Sequence, residues 1–131
     1  MPLETDRWYA FARDDLRMAE LASVEGLNNQ TCFHAQQAAE KLLKGLIVAV
    51  GHVVPRTHRM ADLLAIVPEA LDEGMRSDLL LVDRVLHPDA LSGCIALEDG
   101  LPTADDADGA LQTARSLCAW VRKKHDDSRR D

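Results

Sequence analysis

The chain has 131 residues, of which 47% are hydrophobic and 28% are charged, and its formal net charge is -7. That length and apolar content suffice for one domain with its own core, without disulfides or metals. The negative charge opposes non-specific binding to a polyanion, so a nucleic-acid function would require a local basic patch. The three cysteines have no metal-binding or redox spacing, and no apolar run reaches the roughly 18 residues of a membrane span. We therefore expect a cytoplasmic protein with reduced thiols.

Helical periodicity predicts a first helix from about Asp6 to Ser23. Its predicted apolar stripe consists of Trp8, Phe11, Ala12, Met18, Ala19 and Ala22. Asp15 lies on the same stripe, where a core residue is expected. Because burial of a lone carboxylate is costly, we expect it to pair with Lys41, Lys44 or a histidine. We interpret Asp15 as a structural polar residue that fixes the register of the helices.

A second helix is predicted from about Asn29 to Val50, followed by Gly51. At about 1.5 Å per residue it is roughly 33 Å long, which makes it the predicted central helix. Alanines and leucines share one face, and the opposite face carries Gln37, Glu40, Lys41 and Lys44, with His34 at its edge. Taken alone, this polar face is interpreted as solvated surface with a weak Glu40–Lys44 pair. The alternative is a binding ridge in which lysine and histidine neutralise a phosphate and an amide reads a base.

Pro55 breaks the chain after this helix. Thr57 is predicted to cap a short third helix over residues 58–67, and a fourth helix is predicted from about Asp72 to Leu86. The proline- and glycine-containing segment from His87 to Pro102 is predicted to be a long loop, and long loops are often functional.

The last helix is predicted from about Ala104 to Lys124, with a capping box formed by Thr103 and Asp106. The sequence thus predicts an all-α, single-domain, up-and-down bundle of four to five helices with a long second helix. We expect this domain to span residues 1–126 and to be followed by a frayed tail at 127–131.

Histidines and arginines cluster in the turns and near the fourth helix: His52, His58, His87, Arg56, Arg59 and Arg84. RNA cleavage uses such groups, because histidine serves as acid or base and arginine stabilises phosphate charge. Taken singly, each also has a structural interpretation: His58 at a helix start, or Arg84 paired with Asp83 or Asp89. No zinc spacing, phosphate-binding glycine loop or serine elbow occurs, so no metal or cofactor is expected.

These residues, taken in order and spacing, resemble the HEPN domain family. The matches are Trp8, Ala12, Asp15, Leu16 and Ala19, then FHAQQAAEKLLKGL from Phe33 to Leu46, then Gly51, the turn from Pro55 to His58, Leu63, Leu64 and Pro88-Asp89-Ala90. The segment AQQAAEKLLK is the most specific of them. The match covers most of the first 90 residues, and the last helix matches only in being amphipathic.

The resemblance implies a bundle of four or five helices that is usually homodimeric. Many HEPN proteins are encoded beside a small nucleotidyltransferase, with which they form a toxin–antitoxin or related pair. Some are metal-independent ribonucleases whose active arginine and histidine have four to six residues between them. The nearest pair here, Arg84 and His87, has two residues between its members and gives the candidate catalytic residues.

The expected function is accordingly a nucleotide- or RNA-binding subunit acting with a nucleotidyltransferase partner. The predicted binding residues are His34, Gln37, Lys41, Lys44, Arg56 and His58. One alternative is a metal-independent ribonuclease toxin that uses Arg84 and His87. The other is a non-catalytic dimerisation or interaction module in which Phe33 and Trp120 contact a partner.

Overall fold

The computed structural model describes residues 3–67, 71–86 and 101–130. Over these ranges the chain forms helices and no strand. The helices are α1 (Leu3–Val24), α2 (Asn28–Ala49), α3 (Met60–Leu64), α4 (Glu73–Leu86) and α5 (Ala104–Arg130). The predicted all-α bundle of four to five helices is confirmed. Most of the predicted long loop, from His87 onwards, lies outside the described residues.

Helix α2 is the centre of the bundle, as predicted, because it contacts each of the other four helices. It is also one of the longer helices, with 22 residues. None of the helices over the described ranges is long and apolar enough to cross a membrane.

Two glycines, Gly26 and Gly51, follow the two N-terminal helices, and Gly51 does so where the sequence predicts. Gly26 and Gly51 adopt φ values of 73° and 86°, which side-chain-bearing residues rarely adopt. After α1, the Leu27 N–H donates to the Ala22 carbonyl at 2.9 Å and the Gly26 N–H donates to the Ser23 carbonyl at 3.1 Å. This pair of bonds satisfies free carbonyls at the helix end and reverses the chain, so that α2 can pack antiparallel to α1.

The core divides along α2 into a leucine-rich part and an alanine-rich part. The leucine-rich part includes Leu42, Leu43, Leu46, Ile47, Met60, Leu63, Leu79 and Leu117. The alanine-rich part consists of Ala19, Cys32, Ala35, Ala38, Val82, Ala107, Ala110, Leu111 and Ala114. Burial, with a contribution from Asp106, raises the pKa of Cys32 to about 11, so its thiol stays protonated and unreactive at neutral pH.

The apolar stripe predicted for α1 is partly wrong. Phe11 and Met18 are 53% and 48% exposed, whereas Tyr9 is only 8% exposed. The side chains that face α2 follow the series Thr5, Tyr9, Ala12, Leu16 and Ala19, at spacings of three and four residues. Tyr9 fits this series because Gly45 of α2 lies directly beneath its ring and has no side chain.

The predicted cap of α3 is also wrong. α3 begins at Met60, and no side chain caps it at Arg59. Thr57 instead closes the turn before the helix: its hydroxyl accepts the Arg59 N–H at 3.1 Å and donates to Asp62 at 2.7 Å. The helix is also shorter than predicted, because Arg59, directly before it, has an extended backbone conformation.

The capping box predicted for α5 is confirmed. The Thr103 N–H donates to the Asp106 carboxylate at 2.9 Å, and the Asp106 N–H donates to the Thr103 hydroxyl at 3.1 Å. The shorter aspartate thus serves in the place where glutamate is usual. The helix continues past the predicted end at Lys124 to Arg130. The domain boundary at residue 126 stays a prediction.

Candidate functional site

A first polar cluster joins α1 to α2 through Asp15. Its Oδ1 lies 3.0 Å from His34 Nδ1, and Lys41 Nζ donates to its other oxygen. The Asp15 side chain is only 14% exposed, so the carboxylate lies in the position of the apolar stripe where the sequence placed it. His34 and Lys41 are seven residues apart, about two turns of α2. The carboxylate therefore fixes both the register and the separation of the two helices.

A second polar cluster is centred on Glu40, which is 3% exposed. Its Oε2 accepts a hydrogen bond from Lys44 Nζ at 2.9 Å and lies 3.0 Å from His58 Nδ1. Lys44 Nζ also lies 5.6 Å from the centre of the Trp8 ring, where a cation is attracted to the aromatic face. The buried glutamate thus anchors the segment before α3, and through Lys44 it is linked to α1.

The interpretation of this α2 face as solvated surface is wrong at two positions. Lys44 is only 7% exposed and Glu40 only 3%. Trp8 from α1 and His58 from the following segment cover them, and neither contact is evident from the spacing within α2. The charge of Lys44 is therefore paired with Glu40 inside the protein.

Sequence reasoning missed Gln36, which is fully buried. Its side-chain oxygen accepts a hydrogen bond from Gln37 Nε2 at 2.9 Å. Its own Nε2, and Oε1 of Glu40, have no hydrogen-bond partner in the described part of the chain. The sequence offers one indication that Gln36 is buried: it lies between Ala35 and Ala38, at the edge of the alanine-rich face of α2.

Three predicted site residues remain: Arg56, Arg84 and His87. Arg56 is exposed, and among the described residues it has no ion pair. Arg84 belongs to α4, but its side chain lies outside the described part of the structure, as does the whole of His87. Their assignment as a catalytic pair stays a prediction.

The two clusters share one composition: a carboxylate, a lysine and a histidine. With neutral imidazoles each cluster has a formal charge of zero, and protonation of its histidine raises that charge to one. Because an ionised carboxylate only accepts, Nδ1 of His58 must donate to Glu40, and the other ring nitrogen is left for a ligand. His58 is 82% exposed in its side chain, so this nitrogen is reachable from solvent, whereas His34 is 20% exposed.

Asp15→Asn is expected to lower the free energy of unfolding by about 1–2 kcal/mol, because it weakens two charge-assisted hydrogen bonds between α1 and α2. Urea denaturation measures the difference. The matched control is Asp14→Asn, which removes the same charge from the exposed neighbouring position. Equal denaturation midpoints for the two variants would contradict the proposed structural role of Asp15.

Comparison with known proteins identifies relatives of the whole bundle. The family model of the HEPN domain matches residues 5–124. The crystal structure of TT1696 from Thermus thermophilus is similar to this chain with 31% sequence identity and a TM-score of 0.72, covering 92% of this chain and 97% of that one. The structure of ST0689, an archaeal HEPN homologue, is similar with 28% identity and a TM-score of 0.74, covering 92% and 96%. None of the curated proteins compared with this sequence matches it.

Proposed function

Because the chain belongs to the HEPN domain family, we propose that it is a nucleotide- or RNA-binding subunit that acts with a nucleotidyltransferase partner in a toxin–antitoxin-like system. The proposed binding surface is the polar face of α2 together with the segment before α3. Its residues are His34, Gln37, Lys41, Lys44, Arg56 and His58.

The observation that carries this proposal is the pair formed by Glu40 and His58. A carboxylate that is 4% exposed in its side chain holds a ring that is 82% exposed, at a distance of 3.0 Å between Oε2 and Nδ1. Such a bond fixes the tautomer and the orientation of the imidazole, as it does in catalytic and metal-binding histidines. A ring fixed in this way is prepared to donate to or accept from a polar ligand without further ordering.

The role of each residue in the proposed binding surface depends on whether its charge is already paired within the protein. Lys44 is buried against Glu40, so its charge pairs with that carboxylate and is not available to a ligand. Arg56 is exposed and lies two residues before His58, which makes it the available fixed charge for a phosphate. The amide of Gln37 and the imidazole of His34 supply directional hydrogen bonds.

The proposal includes a homodimer. Large apolar side chains are exposed on α1 and at the start of α2, among them Phe11 at 53%, Leu21 at 46% and Phe33 at 39%. Contiguous apolar patches on a protein surface mark protein–protein contacts, and we propose that these side chains contribute to such a patch in the dimer. Phe33 also contacts the His34 ring, with 5.2 Å between ring centres, so a dimer contact there would lie beside the binding surface.

We expect His58→Ala to reduce the stabilisation by nucleotide or RNA while the protein stays folded. A ligand at 100 times its dissociation constant stabilises the native state by about 2.7 kcal/mol, which a thermal-shift assay with a nucleotide panel and a short single-stranded RNA detects. The matched control is His52→Ala, since His52 is an exposed histidine of the same segment. Equal ligand-induced shifts for the two variants would overturn the site.

Partner binding is tested separately, by purifying the tagged protein under native conditions from its own host. A stoichiometric small nucleotidyltransferase in the eluate supports the proposed pairing. A homodimer alone contradicts it.

A further inference from the structure

A small cavity lies among α1, α2 and α5, away from the polar face of α2. Its volume is about 50 Å³, and its apolar lining is Leu42, Cys118 and Val121. Its polar lining is Tyr9 and Arg13 from α1, with Arg122 and His125 from α5. The cavity therefore has a dry side formed by the core and a side formed by hydrogen-bond donors.

The charges around this cavity are not balanced. Arg13 and Arg122 are both exposed, and among the described residues neither has an ion pair or a side-chain hydrogen bond. Within the described ranges no carboxylate lines the cavity, although the chain has a net charge of -7. Three other cavities in the described part of the structure are each lined by at least one carboxylate.

The other two polar residues are held in place. His125 Nε2 lies 3.5 Å from Asp6 Oδ1, and its ring meets the Tyr9 ring edge-on with 5.3 Å between centres. Burial, together with the charge of Asp6, raises the pKa of Tyr9 to about 12, so its hydroxyl keeps its proton and can donate. Asp6 offsets the charge of a protonated His125 but leaves both guanidinium groups uncompensated.

We propose that this cavity binds a phosphoryl group, held between the guanidinium groups of Arg13 and Arg122. The planar guanidinium presents paired N–H donors that match phosphate oxygens, and two of them on facing helices can hold one group from both sides. A volume of about 50 Å³ exceeds the 10–15 Å³ that one water needs, and so accommodates several phosphate oxygens. The phosphoryl group belongs either to a mononucleotide or to an RNA backbone.

The proposal is independent of the site on α2, because the two share no residue. Its competing explanation is that the arginine stems only cover apolar surface while their charged ends remain in water. That explanation predicts no preference for phosphate over other salts at equal ionic strength.

The test titrates the full-length protein with inorganic phosphate, against sodium chloride of equal ionic strength, and follows thermal stability and calorimetric binding. Each of Arg13→Gln and Arg122→Gln is expected to weaken phosphate binding about tenfold or more, and the double variant to abolish it. Arg17→Gln and Lys123→Gln remove the same charge from exposed positions on the same helices, outside the cavity lining, and are expected to bind as the wild type does.

Two results overturn the proposal: a wild type that phosphate stabilises no more than chloride does, or a double variant that binds as tightly as Arg17→Gln. Arg13→Lys separates charge from geometry, since lysine keeps the charge without the paired donors and is expected to bind with intermediate affinity. Adenosine monophosphate and a short single-stranded RNA then identify the source of the group: the source is the ligand that competes with phosphate.

Discussion

Lys44→Met is expected to lower the free energy of unfolding by about 3 kcal/mol, because it leaves the buried Glu40 carboxylate with His58 as its one remaining partner among the described residues. Methionine fills a similar volume, so the loss reports the missing charge more than a cavity. The Trp8 ring also loses the cation that lies 5.6 Å from its centre. Urea denaturation with a two-state fit measures the change.

Two controls separate the buried pair from the loss of a lysine as such. Lys123→Met removes an exposed lysine from α5 and is expected to change the free energy of unfolding by less than about 0.5 kcal/mol. The double variant Glu40→Gln/Lys44→Met removes both charges, and most of the lost stability is expected to return, because an uncharged pair needs no buried counter-charge. A single Lys44→Met variant as stable as Lys123→Met would contradict the stabilising role of the buried Glu40–Lys44 pair.

The same buried pair shows where prediction from the sequence reached its limit. The spacing of Glu40 and Lys44 predicts an ion pair on α2, and the structure contains it. Its burial depends on Trp8 and on His58, which are distant in the sequence and meet α2 only after the chain has folded. Periodicity describes one helix at a time, so it identifies the polar face but cannot show which of its residues a neighbouring element will cover.

Asp15 was more predictable because it violates a local rule. A carboxylate in the apolar stripe of α1 requires a partner wherever the helix packs, and the sequence offers two lysines and one histidine on α2. The structure pairs it with two of these, His34 and Lys41. A residue that departs from the apolar pattern of its helix therefore says more about tertiary contacts than a residue that follows the pattern. For this reason the sequence predicts the contact between α1 and α2 in outline.

The cationic cavity had no comparable signal. Arg13 lies on the exposed side of a predicted amphipathic helix, and Arg122 lies in a basic run that suits the end of α5 without any tertiary contact. Only the packing of α1 against α5 brings the two together, more than 100 positions apart in the sequence. The site follows from helix order and crossing, which composition and spacing do not determine.

Gly45→Val is expected to lower the free energy of unfolding by about 3 kcal/mol, because the added side chain would overlap the Tyr9 ring of α1. A Cβ atom at this position would lie 2.5 Å from Cε1 and 2.8 Å from Cδ1 of Tyr9, and 3.0 Å from Cβ of Trp8. The Tyr9 ring is 8% exposed and is held against the core, so it cannot turn away at little cost. Helix propensity alone favours the substitution by a few tenths of a kcal/mol, so a loss of stability isolates the steric term.

Gly109→Val is the matched control, because Gly109 lies inside α5 and a Cβ there would meet no atom of the described residues within 4 Å. We expect that variant to change the free energy of unfolding by less than about 0.5 kcal/mol. In a Tyr9→Ala background most of the Gly45→Val penalty should disappear, since the atoms that clash are those of the ring; a double-mutant cycle measured by urea denaturation gives this coupling. An undiminished penalty in that background would place the strain in α2 itself. Gly45 would then be required by the backbone of α2 and not by the Tyr9 ring, and the burial of Tyr9 would need a different explanation.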